Sequence, residues 1–371
     1  MSERIVIKEI CEVYDGPHAT PKKTVDGPVY LGIDAITDDG KINAKEFAYL
    51  SEEDYIKWTK RVTPQYGDIV FSYEATLGRY ALIPKDFYGC LGRRLAIIRN
   101  VSTDIDTLWL YYYFLSPEWK QFIQSKIIKG STVNRISVED FPTYTVPNIS
   151  IKVQRKIANI LSKIDEKIVL NNNINDNLEQ QIKTIFTFQF LQNANTEWKQ
   201  QSLAELSEMY QPKTISGKDL IADGNYFVYG ANGIIGKYNQ YNHSESEIAV
   251  ACRGASCGSI QMTLPFSWIT GNAMVVKPHS DFPYREYLYY YLLAKNPNYL
   301  CSGSAQPQLT RENLTLYSLK VPSTTELNAF ESYAEKVRKI IIKNQQENIE
   351  LSTLRDWLLP MLMNGQATIS D

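Results

Sequence analysis

From Ile157 to Ile185 the chain steps by four and three in strict alternation: Ile157, Leu161, Ile164, Ile168, Asn171, Asn175, Leu178, Ile182, Ile185. That spacing is a heptad seam, the pattern of a long helix that packs along one partner helix. As a helix these 29 positions would span roughly 43 Å, more than an ordinary core helix needs. Near the C-terminus Val337, Ile341, Asn344, Asn348, Leu351, Leu358 and Met361 keep much of the same rhythm. Two separate amphipathic surface helices would also satisfy the apolar positions. Each seam, however, carries two Asn near its middle. Buried Asn costs stability but fixes register, which suits a specified partner, so the two helices are read as pairing with each other. The run Asn171-Asn172-Asn173, with Asn175 and Asn177, leaves a break in the first helix open.

The rest of the chain is also duplicated. Gly67-Asp68-Ile69-Val70-Phe71-Ser72 and Ser246-Glu247-Ile248-Ala249-Val250-Ala251 each read as a turn into a buried strand. Small-residue turns follow at Tyr73 to Gly78 and at Cys252 to Gly258. An aromatic helix, Leu110 to Leu115, matches Leu288 to Leu293, and Arg135 to Phe141 lines up with Gln308 to Leu314. Val146-Pro147 and Val321-Pro322 then launch the long helices. Several matches in one order make a repeated globule-plus-helix unit, with expected boundaries at 1–146, 147–195, 196–321 and 322–371. The halves differ in their loops. Asp38 to Lys60 is a polar insertion of the first half, Gly92-Arg93-Arg94 becomes Gly271-Asn272-Ala273, and Glu74-Ala75 becomes Arg253-Gly254. Like scaffolds with unlike loops suggest two reading heads for two ligands, although drift after duplication would also produce differences.

Catalytic motifs are nearly absent. Gly217-Lys218 has Pro212 where a phosphate-binding loop needs its first Gly, and no G-x-G-x-x-G follows a strand. Asn296-Pro297-Asn298-Tyr299 lacks the second Pro of an adenine methyltransferase box. It lies opposite Pro117-Glu118-Trp119, so both are read as one structural turn. Cys252, Cys257 and His243 could form a metal cluster, but the first half has Tyr73 and Leu77 in the cysteine positions, which favours small buried thiols. Glu118-Trp119-Lys120 and Glu197-Trp198-Lys199 fit a nuclease triplet without a convincing upstream Asp. His18, His243 and His279 lie in no triad context. A binding protein is the expectation, without catalytic residues or a metal site. Five scattered Cys and no apolar run of signal-peptide or membrane-span length suit a cytoplasmic protein.

The alternation of two globules with two related helices, the repeated entries into buried strands and the Val-Pro launches resemble the specificity subunit of a type I restriction-modification enzyme. So does the ending Leu358-Leu359-Pro360-Met361-Leu362-Met363-Asn364-Gly365. The resemblance covers essentially the whole chain. It implies an α+β fold: two α/β target-recognition domains separated by two long antiparallel, coiled-coil helices with pseudo-twofold symmetry. Each domain would read half of a split site in double-stranded DNA through the major groove. The helices would dock two modification subunits that use S-adenosylmethionine to methylate adenine. Restriction subunits, an ATP-driven motor and nuclease with Mg, would join that core in a prokaryotic cytoplasm, and this chain would hold no cofactor itself.

A net charge of −2 gives no global nucleic-acid signature, but residues 61–135 hold ten Lys+Arg against six Asp+Glu. Phosphates are contacted by Lys and Arg, base edges by Arg, Asn and Gln. The DNA-contact candidates are Lys22, Lys23, Arg79, Arg93, Arg94, Lys129 and Arg135 in the first half. In the second they are Lys213, Lys237, Arg253, Gln306, Gln308 and Arg311. The Tyr111–Tyr113 and Tyr289–Tyr291 runs are read as core rather than base-stacking platforms. Alternatives are the specificity subunit of a methyltransferase-fused nuclease, a coiled-coil adaptor whose globules bind proteins, and a stand-alone enzyme. A fragment of residues 1 to about 192 would hold one head and one seam helix, and is expected to pair with its own copy.

Overall fold

The computed structural model describes residues 3–130, 133–303 and 306–367. It forms two compact units, Met1–Val169 with Asn348–Asp371, and Leu170–Glu347. Each unit therefore takes one globule and a stretch of both long helices. Among the described residues no helix is long and apolar enough to cross a membrane.

The first unit centres on a four-stranded antiparallel sheet in the order Cys11–Asp15, Leu95–Asn100, Ile69–Ser72, Tyr80–Leu82. A three-stranded sheet joins Ala48–Tyr49, Thr24–Leu31 and Gly89–Leu91, with the last pair parallel. Arg4–Val6 pairs with Thr145–Pro147 and closes the globule at the root of the first long helix. The second unit repeats this plan: Ser207–Tyr210, Ala273–Pro278, Ile248–Ala251 and Ile260–Met262 in one sheet. Gly233–Tyr238, Tyr226–Gly230 and Trp268–Ile269 form the next, and Lys199–Ser202 pairs with Ser318–Val321. The strand pairings and their directions match sheet for sheet.

The aromatic helices Thr107–Leu115 and Arg285–Ala294 are core elements. Tyr111, Tyr112 and Tyr113 are buried with Trp109, Phe114 and Trp119, and Tyr287, Tyr289 and Tyr290 are buried in the second unit. Asp106 caps the first of these helices by accepting the Trp109 N–H. The Pro117 and Pro297 segments are not one turn. Ser116 caps a ten-residue α-helix, Pro117–Lys126, whereas Asn296 starts only a 3-10 turn, Pro297–Leu300. Trp119 supplies the difference: fully buried, it donates to the Tyr80 hydroxyl and anchors the longer helix.

Ile151–Phe186 is one uninterrupted α-helix through the Asn run, followed by a π-helical turn, Thr187–Gln192. Asn171 and Asn175 face inward with hydrogen-bond partners while Asn172, Asn173 and Asn177 face solvent, so no turn of the helix is forced open. Thr324–Met363 is the second long helix. It starts with a capping box in which Ser323 accepts the Glu326 N–H and Glu326 accepts the Ser323 N–H.

Ile157, Leu161, Ile164, Ile168, Asn171, Asn175, Ile182, Val337 and Ile341 are buried, and Leu178, Asn344, Asn348 and Leu351 half-buried. The heptad frame slips at both C-terminal ends. Phe186 and Phe190 are buried where Ile185 is only half-buried, and Leu359, Leu362 and Met363 are buried in place of Leu358 and Met361. A helix of 3.6 residues per turn drifts about 20° per heptad against a 3.5 repeat. At these ends, moreover, the helices face the aromatic cores, not a single partner helix. In the first unit the paired stretches run antiparallel: Arg355 donates to Asp165 at 2.8 Å, while the earlier Ile157 and Leu161 share a core with the later Leu359, Leu362 and Met363. In the second, Asn171 meets Glu347, Asn175 meets Asn344 and Glu179 meets Arg338, which is again antiparallel.

Candidate nucleic-acid interface

In both units the sheet strands end in the same backbone construction. The Tyr73 N–H donates to the Arg94 carbonyl and the Ile136 N–H to the Tyr73 carbonyl. In the second unit the Cys252 N–H donates to the Asn272 carbonyl and the Leu309 N–H to the Cys252 carbonyl. Glu74 bridges Arg135 and Arg253 bridges Gln308, both antiparallel. The turn after each central strand needs a left-handed residue, supplied by Ala75 (φ 64°) in one unit and Gly254 (φ 78°) in the other. The loops that bring in the third segment are closed alike, by mutual backbone hydrogen bonds of Ile128 with Arg135 and of Ser302 with Gln308.

This register pairs Arg94, rather than Arg93, with Asn272. The shift of one residue against the sequence alignment arises because the strand beginning at Leu95 superposes on the one beginning at Ala273. Arg94 has a left-handed backbone, φ 69°, and its Nε donates to Glu74 Oε2 at 3.2 Å. Arg93 is exposed, and its N–H donates to the Tyr30 hydroxyl. With Lys23 and Arg94 it lines a cleft of about 320 Å³ floored by Tyr30, Gly32 and Ile33 and flanked by Asp34 and Glu46. Lys22, Lys129 and Arg135 are exposed on this unit.

Arg79 does not present a free charge. Its guanidinium is held by Asp38 at 2.6 and 3.1 Å and by the Ile36 carbonyl at 3.1 Å. It braces the polar insertion against the turn after the central strand, a role invisible without the long-range contact. In the second unit Arg253, Gln306, Gln308, Arg311 and Lys213 are exposed and Asn272 half-buried. Gly271 has no room for a side chain against Thr214 and the Pro212 carbonyl, so the Lys213 segment lies beside Asn272. Lys237 stands on the other sheet, its ammonium 5.6 Å from the Phe227 ring centre, and is not part of this cluster.

His243 is buried between the Tyr210 hydroxyl (2.9 Å) and the Asn242 amide oxygen (2.6 Å). Burial and the nearby Lys277 hold its pKa below the ordinary imidazole value. It is a neutral structural residue in a polar network. Burial raises the Cys252 thiol and pushes Cys257 up to about 12, so neither is poised as a thiolate. Glu74 and Asn272 belong to the cluster although the sequence marked them only as differences between halves. Neither is a cationic phosphate ligand, and the long-range pairing that places them has no local pattern.

The family model for the type I restriction modification DNA specificity domain matches the chain twice, at residues 2–180 and 195–352. The type I restriction enzyme EcoprrI specificity subunit of Escherichia coli is 26% identical, over 69% of this chain and 67% of its own length. The MjaIX specificity subunit of Methanocaldococcus jannaschii is 23% identical over 98% of this chain and 93% of its own. The crystal structure of the type I restriction-modification system S subunit from M. genitalium aligns with a TM-score of 0.58 at 15% identity. That alignment covers 99% of this chain and 96% of the other, a likeness of fold.

Proposed function

Because the chain belongs to the type I restriction-modification DNA specificity family, we propose that it reads a split target in double-stranded DNA, one half-site per globule. The observation that carries this is the doubled family match on a doubled scaffold whose equivalent strand ends expose unlike hydrogen-bonding side chains. Lys22, Lys23 and Lys129 in one unit, and Lys213 and Arg311 in the other, supply phosphate contacts that set register. Arginine, amide and carboxylate side chains between them face base edges. The long helices dock two modification subunits, and restriction subunits complete the assembly in the cytoplasm. This chain supplies recognition only. S-adenosylmethionine sits on the modification subunits, and ATP and Mg on the restriction subunits.

The test has two arms. Binding of the isolated chain to duplex DNA should weaken steeply as salt rises, because phosphate contacts release counterions. Mixed with its modification subunits and S-adenosylmethionine, it should direct adenine methylation to a bipartite sequence with a fixed gap. Salt-insensitive association with DNA, as expected of a protein-binding adaptor, or methyl transfer by the chain alone would overturn the reading.

A further inference from the structure

We propose that three matched positions in each globule form its base-reading set: Glu74, Arg94 and Arg135 in the first, and Arg253, Asn272 and Gln308 in the second. The proposal rests on the DNA-recognition reading and names the contacts that carry specificity.

Three observations converge. The backbone hydrogen bonds around these positions are the same in both units, the two that flank Tyr73 and Cys252 and the bridges to Arg135 and Gln308, although Arg94 is left-handed and Asn272 is not. Next, one chain neighbour of each position points inward and stays apolar. Tyr73 and Cys252, Leu95 and Ala273, and Ile136 and Leu309 are all buried, as the alternation of extended strands requires. Last, all six outward residues are hydrogen-bonding types, yet the chemistry changes at each matched pair: carboxylate to guanidinium, guanidinium to amide, guanidinium to amide. Drift after duplication changes outward residues too, but two heads reading different bases are required to keep the backbone bonds while exchanging the outward donors and acceptors, which is the pattern here.

The chemistry of each set gives its expected preference. An arginine fork suits guanine O6 and N7, and a glutamine or asparagine amide suits adenine N6 and N7. In the first globule Glu74 fixes the Arg94 guanidinium at 3.2 Å, on a left-handed backbone that bulky side chains rarely adopt, and Arg135 stands exposed across the bridge. That set favours G·C pairs. In the second, Arg253 with Gln308 and Asn272 favours a G·C pair next to A·T pairs.

The experiment uses the full chain with its modification subunits and S-adenosylmethionine on a randomised duplex library, sequenced for methyladenine. Gln308→Ala should relax one base position in one half-site, lowering discrimination there by roughly five- to 150-fold. The other half-site and the gap should stay as they were. Gln308→Arg should move the preference at that position from A·T toward G·C. Since Gln308 also lies in a backbone bridge, Arg253→Lys is the independent arm. It keeps the charge but loses the two-pronged donor, so it should relax a second position in the same half-site while non-specific DNA binding is retained. Full stringency in both the Gln308→Ala and Arg253→Lys complexes, or relaxation in the half-site read by the first globule, would overturn the assignment. A wild-type complex that methylates no split site would instead overturn the DNA-recognition reading beneath it.

Discussion

At the residue scale, Glu331 is a buried carboxylate of the second unit. Its carboxylate accepts the Glu286 N–H at 2.8 Å and the Tyr287 N–H at 3.1 Å, capping the aromatic helix Arg285–Ala294 from the second long helix. Burial pushes its pKa up to about 7, with Glu286 and Glu335 adding repulsion and the two N–H groups opposing. Glu286, fully buried, is held by Arg338 at 3.1 Å, and burial raises its pKa as well. For Glu331 the folded value lies above the unfolded one. Its contribution is therefore fully present below about pH 4.5 and is lost as pH rises through 7. The loss is of order 3 kcal/mol. Glu331→Gln keeps one of the two acceptors, sets its amide NH2 against the other N–H, and has no proton to lose. Urea denaturation of this variant should show a flatter pH dependence between pH 5 and 7.5. A wild-type-like pH profile in the variant would mean that another group controls it.

At the element scale, the polar seam holds one amide–amide pair and one amide–carboxylate pair. The Asn344 amide donates to the Asn175 side-chain oxygen at 2.8 Å, and Asn171 donates to Glu347 at 2.8 Å. A lone Asn175→Leu removes the acceptor that Asn344 uses. It should cost about 1–3 kcal/mol, the penalty of an unsatisfied half-buried amide. Asn175→Leu with Asn344→Leu replaces donor and acceptor together and should return stability to near the parent. The pair would also lose the polar match that fixes helix register. Chemical denaturation gives the energies, and the gap length in methylation mapping reads the register. If the double variant were as unstable as the single one, the amides would not be coupled as their geometry requires.

At the scale of the whole molecule, the two halves lock to the helices with inverted charges. The Tyr112 hydroxyl donates to Asp165 at 2.7 Å, and Arg355 donates to the same carboxylate. Tyr290 holds the matching place in the second unit. There its hydroxyl donates to Glu179 at 2.8 Å and receives a bond from Arg338 at 3.0 Å. Asp165 follows the seam residue Ile164 and Arg338 follows Val337, so one repeat position is acidic on one helix and basic on the other. A fragment of residues 1 to about 192 still exposes an apolar stripe that favours self-pairing. Its own copy, however, would bring Glu179 toward Asp165, near the place that Arg355 occupies in the full chain. Self-association should be weak, and Glu179→Arg should strengthen it by about tenfold or more. Sedimentation equilibrium decides this: a tight dimer of the unaltered fragment, or no gain from Glu179→Arg, would show that the apolar stripe alone sets pairing.

Periodicity and repetition are properties of the chain itself. The long helices, the duplication, the buried aromatic helices and the family could therefore be read from residues such as Ile157 to Ile185 and the paired Tyr runs. Solvent exclusion imposes those patterns at every turn, and they survive without knowledge of any partner. The tertiary structure alone decided which polar side chains are held by a partner. Arg79 is of the residue type that binds phosphate, but Asp38, 41 residues away, holds its guanidinium. Arg338 meets Glu286 across 52 residues and Glu179 across 159, separations with no local pattern. The one-residue register that sets Arg94 against Asn272, and the slip from Leu358 and Met361 to Leu359, Leu362 and Met363, likewise depend on packing. A charged or amide group is defined by what lies within about 3 Å of it, and in this chain those neighbours come from distant segments.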